Sequence, residues 1–199
     1  MTAIGGVVAT VACCAVLAAL ARATARQYGL MFSGTRPCAL ALWVGAVAEV
    51  AWLGTRGDIR PSDPLLLAAC AAAAATDLQT GYIFDRVLAA GAVALVVLDV
   101  LGAANARDVL AGAAIGGGAL LVPYVATRAR GLGLGDVKFA AVAGLGLGGM
   151  RASEAVWIAF VLAGTVGAGL VMMRRANRHS ELRFGPFIAL GACCALVFP

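Results

Sequence analysis

Two aspartates carry the chemistry this sequence can offer. Asp77 follows the alanine run Ala71–Ala75, and Asp136 stands in Gly131-Leu132-Gly133-Leu134-Gly135-Asp136-Val137-Lys138. Each sits where an apolar segment meets a basic loop. A carboxylate at a membrane boundary is expensive to desolvate, which makes such a residue a functional candidate. Two carboxylates held close together cannot both ionise easily, so one keeps a proton. The ionised member can then deprotonate a water while the protonated member polarises a carbonyl oxygen. Peptide hydrolysis by such a pair needs no metal and no cofactor. Which member is the general base stays open, because a coupled pair titrates as a unit. Taken singly, each has a plainer role: Asp136 at or near the N-cap of the following helix, and Asp77 as a loop carboxylate.

The residues around Asp136 bear on the same question. Gly133 and Gly135 permit turn dihedrals closed to other residues and a close approach of backbone or substrate, so they are expected to shape the site. Lys138 is either an interfacial anchor or a partner of the aspartates or substrate. A phosphate-cradling loop is a further option, but the P-loop spacing and its Lys-Ser/Thr end are missing, and an acidic residue there would repel phosphate. Glu49 and Asp99 lie inside apolar segments, where a functional role and a protonated or hydrogen-bonded structural role are both open. His179, among arginines, reads as a solvated loop residue. The six cysteines, Cys13, Cys14, Cys38, Cys70, Cys193 and Cys194, form no C-x-x-C pair and read as small buried hydrophobes, so no metal site is expected.

The elements that must position these residues are membrane helices. Of 199 residues, 62% are hydrophobic and 13% charged; a soluble domain carries close to a quarter charged residues. The mean hydropathy is +0.95. Eight apolar segments can be drawn: Thr2–Leu20, Cys38–Gly54, Pro64–Thr76, Val87–Ala103, Val109–Ala126, Val137–Gly149, Ala155–Met173 and Pro186–Phe198. The fold expected is an all-α polytopic transmembrane bundle of about six to eight helices, one integral membrane domain over residues 1–199. The third, sixth and eighth segments are short for a span and are expected to extend into their flanks or to sit against other helices rather than lipid. Met1–Leu20 has its arginines after the apolar run, the wrong side for a cleaved signal, and reads as a retained first helix. Gly112 and Gly116 form a G-x-x-x-G of the kind that lets membrane helices approach closely. Trp43, Trp52 and Trp157 are expected in or near helix ends.

Loop charge sets the orientation. Eleven of the fifteen Lys and Arg fall in the first, third, fifth and seventh loops; the other four are Arg56, Arg60, Arg107 and Arg151. The positive-inside bias puts the odd loops in the cytoplasm and both termini outside. Asp77 opens the third loop and Asp136 closes the fifth, so both are expected at the cytoplasmic face. The net charge of +5 comes without a basic run interleaved with aromatics, so no nucleic-acid partner is expected.

At this point the residues resemble a family. Gly133-Leu134-Gly135-Asp136-Val137-Lys138 resembles the G-x-G-D-x-K signature of type IV prepilin peptidases, within the G-x-G-D intramembrane aspartic proteases. Asp77, Ile83 and Asp85 match the family's D-x-x-x-x-x-I-P-N/D stretch, with Phe84 in place of proline. Arg183-Phe184-Gly185-Pro186-Phe187-Ile188-Ala189-Leu190-Gly191 resembles its F-G-P-F-x-A-x-G segment. The resemblance implies an endopeptidase of a prokaryotic cytoplasmic membrane, with Asp77 and Asp136 catalytic and no cofactor. Its partners would be the bilayer and a prepilin or pseudopilin, cut after a glycine between a basic leader and a hydrophobic N-terminal helix. The insert with paired C-x-x-C motifs found in larger, N-methylating relatives is not in this sequence, so the peptidase step alone is implied. Two other functions are compatible with the composition: a small proton-coupled transporter using Asp77, Asp136, Glu49 and Asp99 as a relay, and a non-catalytic membrane scaffold.

Overall fold

The computed structural model describes residues 3–27, 36–56, 60–128, 131–174 and 183–198; Arg130, Arg175, Arg178 and His179 lie outside them. Among the described residues there are eight helices and no strand: α1 (Ala3–Gln27), α2 (Arg36–Arg56), α3 (Asp63–Thr80), α4 (Asp85–Leu101), α5 (Ala106–Ala126), α6 (Leu134–Leu147), α7 (Gly149–Met172) and α8 (Gly185–Val197). Each of the eight apolar segments is one helix. Three stretches, Val7–Gln27, Ala106–Ala126 and Gly149–Met172, are long and apolar enough to cross a membrane.

The short segments are short because protein surrounds them. Every residue of α3 from Asp63 to Asp77 is buried. Its alanines present so little side chain that α1, α2, α4, α6 and α8 all pack against it. Helices α6 and α8 are also buried over much of their length. The helices at the periphery show the opposite pattern. Val16 on α1, Val97 on α4, Leu110 and Val122 on α5, and Trp157 on α7 are all exposed. A contiguous apolar exterior of this kind belongs against lipid. Trp157 lies well inside α7, away from the helix end expected for it, and Trp43 packs against the core.

The closest helix crossing is between α5 and α6. A Cβ built on Gly112 would stand 2.1 Å from the Gly144 carbonyl oxygen, and one on Gly144 would stand 2.1 Å from that of Gly112. Gly116 sits equally tightly, 2.2 Å from the Ala140 carbonyl. The crossing brings α6 deep into the bundle and leaves its first turn beside the ends of α3, α4 and α8.

Candidate active site

Asp77 lies in the last turn of α3, not at the opening of a loop. The helix runs past the apolar segment to Thr80 and ends at Gly81, whose left-handed conformation (φ 73°) lets its N–H donate to the Asp77 carbonyl at 2.8 Å. The Asp77 side chain is 6% exposed. Its Oδ2 accepts a 3.1 Å hydrogen bond from the Gly185 N–H. Gly185 is the first residue of α8, so this N–H is one of the donors that a helix cannot satisfy internally. The positive end of the α8 dipole therefore faces the carboxylate. A Cβ on Gly185 would stand 2.8 Å from Asp77 Oδ2, which leaves room for glycine alone.

The entry to α8 is pinned on both sides. The Phe184 ring is buried, with its centroid 5.5 Å from Phe160 of α7 and 6.2 Å from Phe187. Immediately before it, the Arg183 guanidinium donates to the Leu78 carbonyl, one residue beyond Asp77, and reaches over the Gly81 cap. Burial pushes the Asp77 carboxyl up from its ordinary value; the Gly185 N–H and the positive charge of Arg183 pull it back.

Asp136 is the third residue of α6, with Gly133 rather than Asp136 as the N-cap. Its Oδ2 reaches back to accept a 3.1 Å hydrogen bond from the Gly133 N–H, closing the first turn. Burial raises this carboxyl to about 6, opposed by the Gly133 N–H and assisted by the negative charge of Asp77. The two aspartates, 59 positions apart in sequence, thus sense each other across the meeting of α3 and α6.

The α3–α4 connection closes one side. A Cβ on Gly135 would meet the Ile83 side chain at 3.4 Å, so this connection lies against the first turn of α6. Phe84, where the resembling family has proline, is buried at φ −78°, an angle proline also adopts. Its ring joins a cluster with Leu17, Ala21 and Val87. Lys138 pairs with Asp85, the first residue of α4, through contacts of 2.8 and 2.9 Å. It is committed to that exposed carboxylate rather than to either Asp77 or Asp136.

Glu49 and Asp99 do not join the pair. Glu49 lies near Cys193 and feels the charge of Asp63. Asp99 lies near Ser62 and Arg60, with which it lines a cavity. Both therefore gather toward the N-terminal end of α3. Asp63 and Asp77 are 14 residues apart on that helix, about 21 Å at 1.5 Å per residue. The four carboxylates do not form one relay. Arg183 and Gly185 are not among the residues expected at the site from sequence. Their signal was the Phe184-Gly185-Pro186 run, where glycine beside proline marks a helix start.

A family model described as the type IV leader peptidase family matches residues 64–172. The match runs from the second residue of α3 to the end of α7 and contains both Asp77 and Asp136. No curated protein and no solved structure matches the chain.

Proposed function

We propose that this chain, which belongs to the type IV leader peptidase family, is a membrane aspartic endopeptidase with Asp77 and Asp136 as its catalytic dyad. The observation that carries this reading is the convergence of the two carboxylates at one end of the bundle, where burial and the charge of Asp77 let Asp136 keep its proton to a higher pH than an ordinary aspartate does. A pair sharing one proton is the state an aspartic hydrolase needs. One member takes a proton from water, which attacks the scissile carbonyl carbon. The other donates a hydrogen bond and then a proton to the carbonyl oxygen.

The substrate class follows from the family and from the surroundings of the pair. A prepilin or prepilin-like protein would lay its hydrophobic helix against the apolar exterior and present the leader junction to the dyad. The loop charges favour cleavage at the cytoplasmic face of a prokaryotic inner membrane. Gly133 adds no side chain beside Asp136, Gly135 leaves room for Ile83 against the first turn of α6, and Lys138 with Asp85 ties α6 to α4 beside it.

The test is co-expression with a prepilin-type substrate. Asp77→Asn and Asp136→Asn are each expected to lower processing by roughly a hundred- to ten-thousand-fold, the range for loss of a general acid or base, with the membrane level of the enzyme unchanged. The readout is the ratio of processed to unprocessed substrate on an immunoblot. Wild-type processing in either variant removes that residue from the dyad.

A further inference from the structure

The two carboxylates are chemically identical, yet their surroundings are not. Each accepts one backbone hydrogen bond at 3.1 Å, Asp77 from Gly185 and Asp136 from Gly133. Asp77 lies at the C-terminal end of its own helix, where the dipole disfavours an anion, and is compensated by the N-terminus of α8. Beyond that balance, one element adds a full charge on one side only: Arg183, bound to the Leu78 carbonyl and pinned by the buried Phe184 that follows it.

Among the described residues, Arg183 is the charged side chain that acts on the Asp77 carboxyl. From α6, Lys138 is paired with Asp85 of α4, and the two charges cancel locally. From α4, Arg86 donates to Gln27 at the end of α1. From α3, Asp77 itself is the only ionisable group in the last turn.

We infer that Arg183 is a positioning residue that polarises the dyad, holding Asp77 as the charged general base and leaving Asp136 as the proton-carrying general acid. The inference rests on the dyad reading above and assigns roles that the sequence left open. The placement also agrees with the direction of both carboxyls: Arg183 opposes the rise at Asp77, while at Asp136 burial and the charge of Asp77 raise the carboxyl to about 6 against the Gly133 N–H alone.

The chemistry closes on this assignment. Water gives one proton to the Asp77 carboxylate as its oxygen bonds the scissile carbonyl carbon. Asp136 gives its proton to the carbonyl oxygen, forming a neutral gem-diol. On collapse the C–N bond breaks, the leaving nitrogen takes the proton from Asp77, and a gem-diol hydroxyl returns its proton to Asp136. One water is consumed, and both aspartates end as they began.

The experiment is the pH dependence of kcat and KM for full-length enzyme in detergent, using a fluorogenic peptide that spans a prepilin leader junction. Arg183 is solvent-exposed, so replacing it leaves the core intact. In Arg183→Gln the Asp77 carboxyl rises, so the acid limb of kcat is expected to move up by about one pH unit, the low end of the effect of a neighbouring arginine, with KM unchanged. Arg183→Lys, which keeps the charge, is expected to restore the limb. A uniform fall in kcat with an unmoved acid limb in Arg183→Gln overturns the inference, as does a Lys variant that behaves like the Gln variant. Asp77→Asn, run in parallel, separates the two levels. If it still cleaves, dyad and inference fall together; if it is inactive while the Arg183→Gln limb stays put, the inference alone falls.

Discussion

At the scale of single residues, the proposed dyad is a problem of keeping one proton on two acids. Burial raises both carboxyls, and the charge on Asp77 raises Asp136 further, to about 6. The sign of the pH dependence follows. An acid with a raised pKa keeps its proton below that value and loses it above, so the general-acid form of Asp136 is depleted as pH rises through about 6. The alkaline limb of kcat should lie there. In Asp77→Asn the like charge is gone while the burial stays, so the Asp136 carboxyl should titrate lower than in wild type yet still above an ordinary aspartate. Infrared difference spectra of the protonated-carboxyl stretch against pH would read that shift, and an unmoved Asp136 would mean that the two groups do not couple. Gly185 is the other residue with a sharp expectation. A Cβ there would press within 2.8 Å of Asp77 Oδ2. Gly185→Ala should therefore displace the carboxylate and slow cleavage by roughly a hundredfold, as misplacing a reacting group by about 1 Å does, at an unchanged protein level on an immunoblot. Sequence alone marked Asp77 and Asp136, because a charge beside an apolar run is conspicuous. It did not mark Arg183, because an arginine before a helix looks like any topology signal.

At the scale of elements, glycines decide which helices touch. The G-x-x-x-G of α5 was plain in the sequence, but its partner was not, since several segments carry glycines. The structure pairs it with Gly144 of α6, backbone on backbone. Gly112→Ala or Gly144→Ala must push α5 and α6 apart and should destabilise the bundle by about 1–3 kcal/mol, the usual penalty for overpacking. Gly118, on the same helix, has nothing within 4 Å of a built Cβ, so Gly118→Ala should leave stability unchanged. Thermal unfolding in detergent compares the three; equal melting temperatures would mean that the crossing is loose. The boundaries tell a related story. Helix α3 runs past its apolar segment to Thr80, because Asp77 is bonded by the first N–H of α8 and the Thr80 hydroxyl donates back to the Thr76 carbonyl, so neither needs to leave the helix.

At the scale of the whole molecule, the bundle has two polar ends and an apolar belt between them. One end holds Asp77, Asp136, Arg183 and the Lys138–Asp85 pair. At the other, Arg60, Asp99, Asn105 and Asp108 line a cavity of about 390 Å³. If the odd loops are cytoplasmic, a cysteine at Tyr82 should react with a membrane-impermeant maleimide only after the membrane is opened, and one at Asn105 should react in intact spheroplasts. The reverse pattern would invert the orientation. Sequence by itself determined the helical membrane character and the two candidate acids. A long apolar run must satisfy its backbone internally whatever surrounds it, and a boundary carboxylate is costly wherever it stands. Only the tertiary structure decided which helix ends meet. The bond from Gly185 to Asp77 joins residues 108 apart, and nothing local to either records it. That meeting depends on the small side chains of α3, the glycine crossing of α5 with α6 and the aromatic anchor at Phe184 acting together, so it exists only once the bundle has packed.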